Sequence, residues 1–140
     1  MTHYPENDVL SNVWRWLYEG VNRANYMEEN KSNIEFDGKE LMYGEVYFLR
    51  AYYYFQLVKF FGDVPLFTDA RLTAGDSGSL SRTPASLVYE QIELDLQNAI
   101  SVLPASQSEQ GRVNKFTAYA LLGKVLLYQE KFAESAQAFD

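Results

Sequence analysis

The 140-residue sequence has no cysteine, a single histidine and four prolines, and its 12 basic residues are outnumbered by 19 acidic ones. Each shortage closes a class of function. Without cysteine the chain has no disulfide, no thiolate nucleophile and no lipid-carrying thiol, and most zinc-site patterns lose their ligands. His3 stands alone near the terminus. A formal charge of −7 disfavours a phosphate-backbone partner, which is held by clustered Lys and Arg, so nucleic acid is set aside. Apolar runs are short as well. Arg50 and Lys59 interrupt the best candidate before it reaches the roughly 18 to 20 residues that span a bilayer. The opening MTHYPENDVL carries neither the basic nor the apolar region of a secretory leader. Two carboxylates could serve a hydrolase if they flanked a scissile bond at a defined separation, but no pair stands out among the acidic residues. The reading therefore assigns no catalytic residue, no metal and no cofactor, and treats the chain as a non-enzyme.

Apolar content is 47%, enough for one buried core, so residues 1–140 are read as one domain. Eight of the 22 aromatic residues fall between Tyr47 and Phe61, around a helix that keeps no wide polar face. Such a helix belongs at the centre, packed on more than one side. Gly62 suits the left-handed conformation that closes a helix, and Pro65 holds Val64 extended, so the chain must turn there.

Four helices, and the start of a fifth, account for the apolar pattern, with no strand signal in competition. Val9, Val13, Trp16, Leu17, Val21 and Ala24 recur at helical spacing behind a cap at Asn7 or Asp8. The polar stretch from Glu29 to Gly38 connects this helix to the aromatic one. A third helix follows Thr83 as N-cap and Pro84 as first residue, with an apolar stripe at Leu87, Val88, Ile92, Leu96, Ala99, Ile100 and Leu103. Asn114 caps a fourth that runs to Gln129, and a last helix begins at Lys131 or Phe132. Tyr119, Leu122, Gly123, Leu126, Ser135 and Phe139 have tetratricopeptide-like offsets, where small residues let paired helices approach. No strict 34-residue period runs through the chain, so the expected fold is all-α, an irregular tetratricopeptide-like stack of four to five helices. Phe132, Ala136 and Phe139 are offered to a further neighbour, and the chain reads as truncated.

Four segments carry a resemblance. Arg50, Ala51, Tyr54, Phe55, Leu57, Val58 and the run Phe61-Gly62-Asp63-Val64-Pro65-Leu66 resemble the central motif of the SusD/RagB family, the glycan-binding surface lipoproteins of Bacteroidetes. Upstream, Trp14, Tyr18, Val21 and Asn25 are similar to a family helix, with Val21 where isoleucine is commoner. Downstream, Val88 to Ile92 with Asp95, Leu96, Ala99, Leu103 and Pro104 looks like the next, and Gly111-Arg112 with Ala118, Leu121, Lys124 and Tyr128 like the one after. The resemblance implies an oligosaccharide ligand captured without bond cleavage and passed to a SusC-like TonB-dependent transporter. It also implies an outer-membrane, cell-surface location through a lipid anchor that this chain does not carry, and a longer protein in which this chain is the N-terminal helical scaffold. The rival reading is a free-standing tetratricopeptide-like adaptor that binds a protein or peptide in its groove.

Trp14 and Trp16 could stack on sugar rings, but their place on an amphipathic helix assigns them to core packing, as helical spacing does for Tyr52 to Phe55. Arg50, inside an aromatic helix, needs a partner, for which Asp63 and Glu45 are both available. Asn25 is expected to satisfy backbone groups at the end of the first helix. With Trp14, Tyr54, Gly62 and Pro65 these residues form the structural motif. The irregular segment from Gly62 to Arg82 is read either as a solvated loop or as a binding loop, with Asp69, Arg71, Asp76 and Arg82 as the carbohydrate contacts.

Overall fold

A computed structural model describes residues 8–73, 75–76 and 80–140. Among them run five helices, α1 (Asp8–Glu29), α2 (Lys39–Phe61), α3 (Ala85–Val102), α4 (Lys115–Tyr128) and α5 (Phe132–Phe139), with a 3₁₀ turn at Lys31–Asn33. Each helix packs on the next, and α2 also touches α4, so the aromatic helix is central as its composition demands. The core joins Val21 of α1, Ala51, Tyr54, Phe55, Leu57 and Val58 of α2, Val88, Ile92 and Leu96 of α3 and Val125 of α4.

On α1 the buried stripe differs from the expected one. Trp14, Tyr18, Val21 and Asn25 face inward at intervals of four, three and four residues, whereas Trp16 is 66% exposed and Val9 68% exposed. The cause is rotation, because two residues turn a helix by about 200° and carry Trp16 to the side opposite Trp14. The core assignment is corrected for Trp16, as it is for Tyr52 and Leu87, which are also exposed.

At the end of α2, Gly62 has φ +66°, a conformation that L side chains rarely adopt, and its N–H donates to the Val58 carbonyl at 3.0 Å. Val64 then pairs with Thr83 through two backbone hydrogen bonds of 3.2 and 3.0 Å, an isolated antiparallel bridge that joins the two ends of the intervening loop. Thr83 does not cap α3. Its backbone is held in the bridge, and Asp63 reaches across instead, its Oδ1 accepting from the Ala85 N–H at 2.8 Å. Asn114 does cap α4, accepting from the Thr117 N–H at 2.9 Å. The close approach of α4 and α5 uses Gly123, where a Cβ would sit 2.6 Å from the Phe139 ring, and the buried Ser135 donates to the Gly123 carbonyl at 2.8 Å.

Candidate binding site

Three helices each contribute one buried polar side chain to a single node. The Arg50 guanidinium on α2 forks onto Asp95 of α3, Nε to Oδ2 at 2.8 Å and Nη2 to Oδ1 at 2.7 Å. Its Nη1 donates to Asn25 Oδ1 of α1 at 3.0 Å and to the Thr68 carbonyl at 2.8 Å. Gln91 donates to Asp95 Oδ1 at 3.0 Å. Burial opposes the charge on Arg50, but the hydrogen bonds and charge of Asp95 hold it above its ordinary value. Burial likewise pushes the Asp95 carboxyl up, against the pull of Arg50 and Gln91. The expected partners of Arg50 are thereby corrected, since Asp63 caps α3 and Glu45 forms its own fork with Arg112 at 2.9 and 2.6 Å.

The node also holds a loop. Asn25 does not close its own helix; its amide donates to the Phe67 and Ala70 carbonyls at 2.9 and 3.3 Å. Tyr54 Oη donates to the Phe67 carbonyl at 2.7 Å and accepts from the Phe67 N–H at 3.0 Å. Tyr18 donates to the Pro65 carbonyl at 2.7 Å and stacks on the Phe67 ring, with centroids 5.6 Å apart. Asn22 accepts from the Leu72 N–H at 2.9 Å and donates to its carbonyl at 3.4 Å. The backbone from Pro65 to Leu72 is thus fixed by helix side chains, which satisfies polar groups that a loop would otherwise leave to water. Burial pushes the Tyr18 and Tyr54 hydroxyls well above the ordinary tyrosine value, because the phenolate loses solvation there.

Beside this loop, a cavity of about 780 Å³ opens between the first half of α1 and the corner after α2. Trp14, Tyr18 and Phe61 line it with aromatic surface, Trp14 meeting Phe61 edge-on at 4.9 Å. Arg15, Glu19, Asn22 and Arg82 add polar groups. Of the four residues expected to contact carbohydrate, Arg82 borders this cavity. It donates to the Asp63 and Phe61 carbonyls at 2.7 and 3.3 Å and lies 5.9 Å from the Trp14 ring centroid. Arg71 is elsewhere, over the Tyr26 ring at 4.8 Å and 3.4 Å from Glu29. Asp69 accepts from the Thr68 hydroxyl at 3.1 Å. Asp76 accepts from the Thr73 N–H and hydroxyl at 2.8 and 2.7 Å, which lowers its pKa. The four therefore do not share one wall.

Asp95, Tyr18 and Asn22 are the positions whose roles the sequence reading missed. A signal existed for Asp95, the one acid set within the apolar stripe of α3 between Ile92 and Ala99. Nothing local marked Asn22, whose partner is 50 residues away. Among the described residues, no three His, Cys, Asp or Glu side chains are grouped to hold a metal ion, and no helix is long and apolar enough to cross a membrane.

Comparison with known proteins gives a consistent result. The profile of a SusD-like family, described as starch-binding and associating with the outer membrane, matches residues 2–127. SusD-like protein P2 of Formosa agariphila is 34% identical over 134 residues, covering 94% of this chain and 26% of that protein. A laminarin-binding SusD-like protein of known structure is 38% identical and superposes with a TM-score of 0.84 over 91% of this chain and 28% of its own. A SusD-like carbohydrate-binding protein of Bacteroides fragilis is 27% identical with a TM-score of 0.89, covering 97% of this chain and 27% of its own. The chain thus spans about a quarter of the length of each of these relatives.

Proposed function

The chain belongs to the SusD-like family, and from that premise we propose that it is the helical scaffold of an oligosaccharide-binding protein that delivers its ligand to a TonB-dependent outer-membrane transporter of the SusC type. The observation that carries this reading is the cavity beside the fixed loop. Aromatic faces at Trp14, Tyr18 and Phe61 suit the C–H surfaces of pyranose rings, and polar groups stand next to them. Its volume is in the range of small-ligand pockets. The similarity to a laminarin-binding relative supports the ligand class.

In this role the helices hold backbone in place and the chemistry is binding, without cleavage of a glycosidic bond. Asp69, Arg71 and Asp76 are proposed as outer contacts of a longer sugar, and Arg82 as the contact at the cavity. Location at the cell surface follows from the same reading, with the anchor supplied outside these residues. Titration calorimetry with laminarin oligosaccharides, with chromatography of the mixture afterwards, tests it: saturable heat with intact sugar is expected, and released shorter sugars would refute a binding-only role.

Exposed aromatics on the last two helices favour a second reading. Phe116, Tyr119, Phe132 and Phe139 are all more than a third exposed, as an adaptor surface for a protein partner would be. Capture of a partner that is lost on Phe116→Ser while sugar binding is absent would favour the adaptor.

A further inference from the structure

We infer that the cavity between α1, Phe61 and Arg82 selects an anionic oligosaccharide, one carrying carboxylate or sulfate ester groups, through Arg15 and Arg82. This rests on the saccharide reading given above and narrows it. The chain as a whole carries a formal charge of −7, yet the cavity wall holds two arginines against one carboxylate, Glu19. That carboxylate is already engaged by Arg23 at 3.4 Å. Elsewhere Arg23, Lys39, Arg50, Arg71, Arg112 and Lys131 each lie within 4 Å of an acid, whereas Lys31, Lys59, Lys115 and Lys124 stand in no ion pair with a described residue and are spread over other helices. Arg15 makes no ion pair or hydrogen bond to any described residue, although it lies on the wall of this cavity.

Arg82 is an anchored cation. Its Nη1 is used by the Phe61 and Asp63 carbonyls, which fixes the group without neutralising it, since a carbonyl brings no charge. Its Nε and Nη2 donate to no described residue. Two neutral polar groups of the wall, by contrast, are committed. The Asn22 amide is used at both ends by Leu72, and the Tyr18 hydroxyl donates to the Pro65 carbonyl. A bound sugar therefore meets two guanidinium groups, with the Ser11 hydroxyl, above an aromatic surface. Guanidinium N–H groups bond most strongly to carboxylate and sulfate-like oxygens, often two at a time, and weakly by comparison to neutral hydroxyls.

The test is calorimetry of the purified protein at low ionic strength with three probes: trigalacturonate, a sulfated carrageenan oligosaccharide and neutral laminaritriose. At least one anionic probe is expected to bind about tenfold tighter than laminaritriose, and to lose most of that advantage when salt is raised several-fold. Arg15→Gln removes no ion pair or hydrogen bond to any described residue, so it is expected to weaken the anionic probe about fivefold and laminaritriose less than about twofold, while Glu19→Gln strengthens the anionic probe. Preference for trigalacturonate or for the sulfated sugar would identify which anion the arginines read. Equal or tighter binding of laminaritriose, unaffected by Arg15→Gln, would overturn the inference while leaving the saccharide reading intact. No binding by any of the three would overturn both.

Discussion

Arg50 and Asp95, 45 residues apart, face one another through two parallel hydrogen bonds of 2.8 and 2.7 Å, with their side chains only 5% and 1% exposed. A pair this buried loses the hydration of both ions, and mutual attraction with added hydrogen bonds must offset that loss. Here the extra bonds come from Asn25, Gln91 and the Thr68 carbonyl. The guanidinium therefore ties α1, α2, α3 and the loop to one point. Arg50 thus joins these helices to the loop that Tyr18, Asn22, Asn25 and Tyr54 also hold.

Removing one partner should show this. Asp95→Asn leaves a buried guanidinium without its counter-charge and is expected to destabilise the fold by roughly 3 to 5 kcal/mol, read as a lowered urea midpoint. Arg50→Lys keeps the charge but cannot form the fork and reach Thr68 together. It should expose the 65–72 segment to faster proteolysis, and wild-type cleavage rates in that variant would separate the node from the loop.

The node also marks where the sequence was readable and where it was not. Helix positions followed from apolar periodicity, and Asn114 and Gly62 could be assigned because capping and positive φ depend on neighbours within a few residues. That Arg50 needs a partner could be argued from burial alone. Which acid serves could not, because that depends on where the fold brings Glu45 of α2, Asp63 of the corner after it and Asp95 of α3. Trp16 was misjudged for a related reason. A stripe on a helix with apolar residues on several sides has more than one phase, and packing against α2 selected the phase of Trp14. The cavity was not legible at all, since its wall combines residues of α1 with Phe61 and Arg82.

Asp63 gives a second expected outcome. Its carboxylate caps α3 from 22 residues upstream, at 2.8 Å from the Ala85 nitrogen, whereas the Thr83 side chain makes no such bond. Asp63→Ala should cost about 1 kcal/mol and raise amide exchange in the first turn of α3. Thr83→Val should be close to neutral. The reverse order of effects would return the cap to Thr83.

Gly62 can be tested for conformation alone. Apart from its two chain neighbours, no described residue comes within 4 Å of the position a Cβ would take, so Gly62→Ala meets no obstruction from them, but φ +66° remains unfavourable for an L side chain. A loss of about 1 to 2 kcal/mol is expected from backbone strain, seen as a reduced melting temperature with unchanged helical content. A neutral result would mean that the corner relaxes to another conformation, and the bridge between Val64 and Thr83 should then weaken in amide exchange.

Alkaline pH probes the loop clamp. Burial raises the pKa of Tyr54 in the folded chain, so above about pH 10 the unfolded chain has lost a proton that the folded one retains. Fewer protons on the unfolded side mean that stability falls as pH rises, by up to about 1.4 kcal/mol per pH unit for one such group. Its contribution is thus fully present below about pH 10 and is lost as pH climbs toward the raised folded value. Tyr18 shifts in the same direction and adds to the slope. Tyr54→Phe gives up both hydrogen bonds to Phe67 and should start about 1 to 2 kcal/mol less stable at pH 8. It should then decline less steeply between about pH 9 and 11. Urea midpoints across that range for the two proteins decide the matter, because a clamp that depends on the protonated phenol requires the curves to converge, and parallel curves would remove Tyr54 from the account.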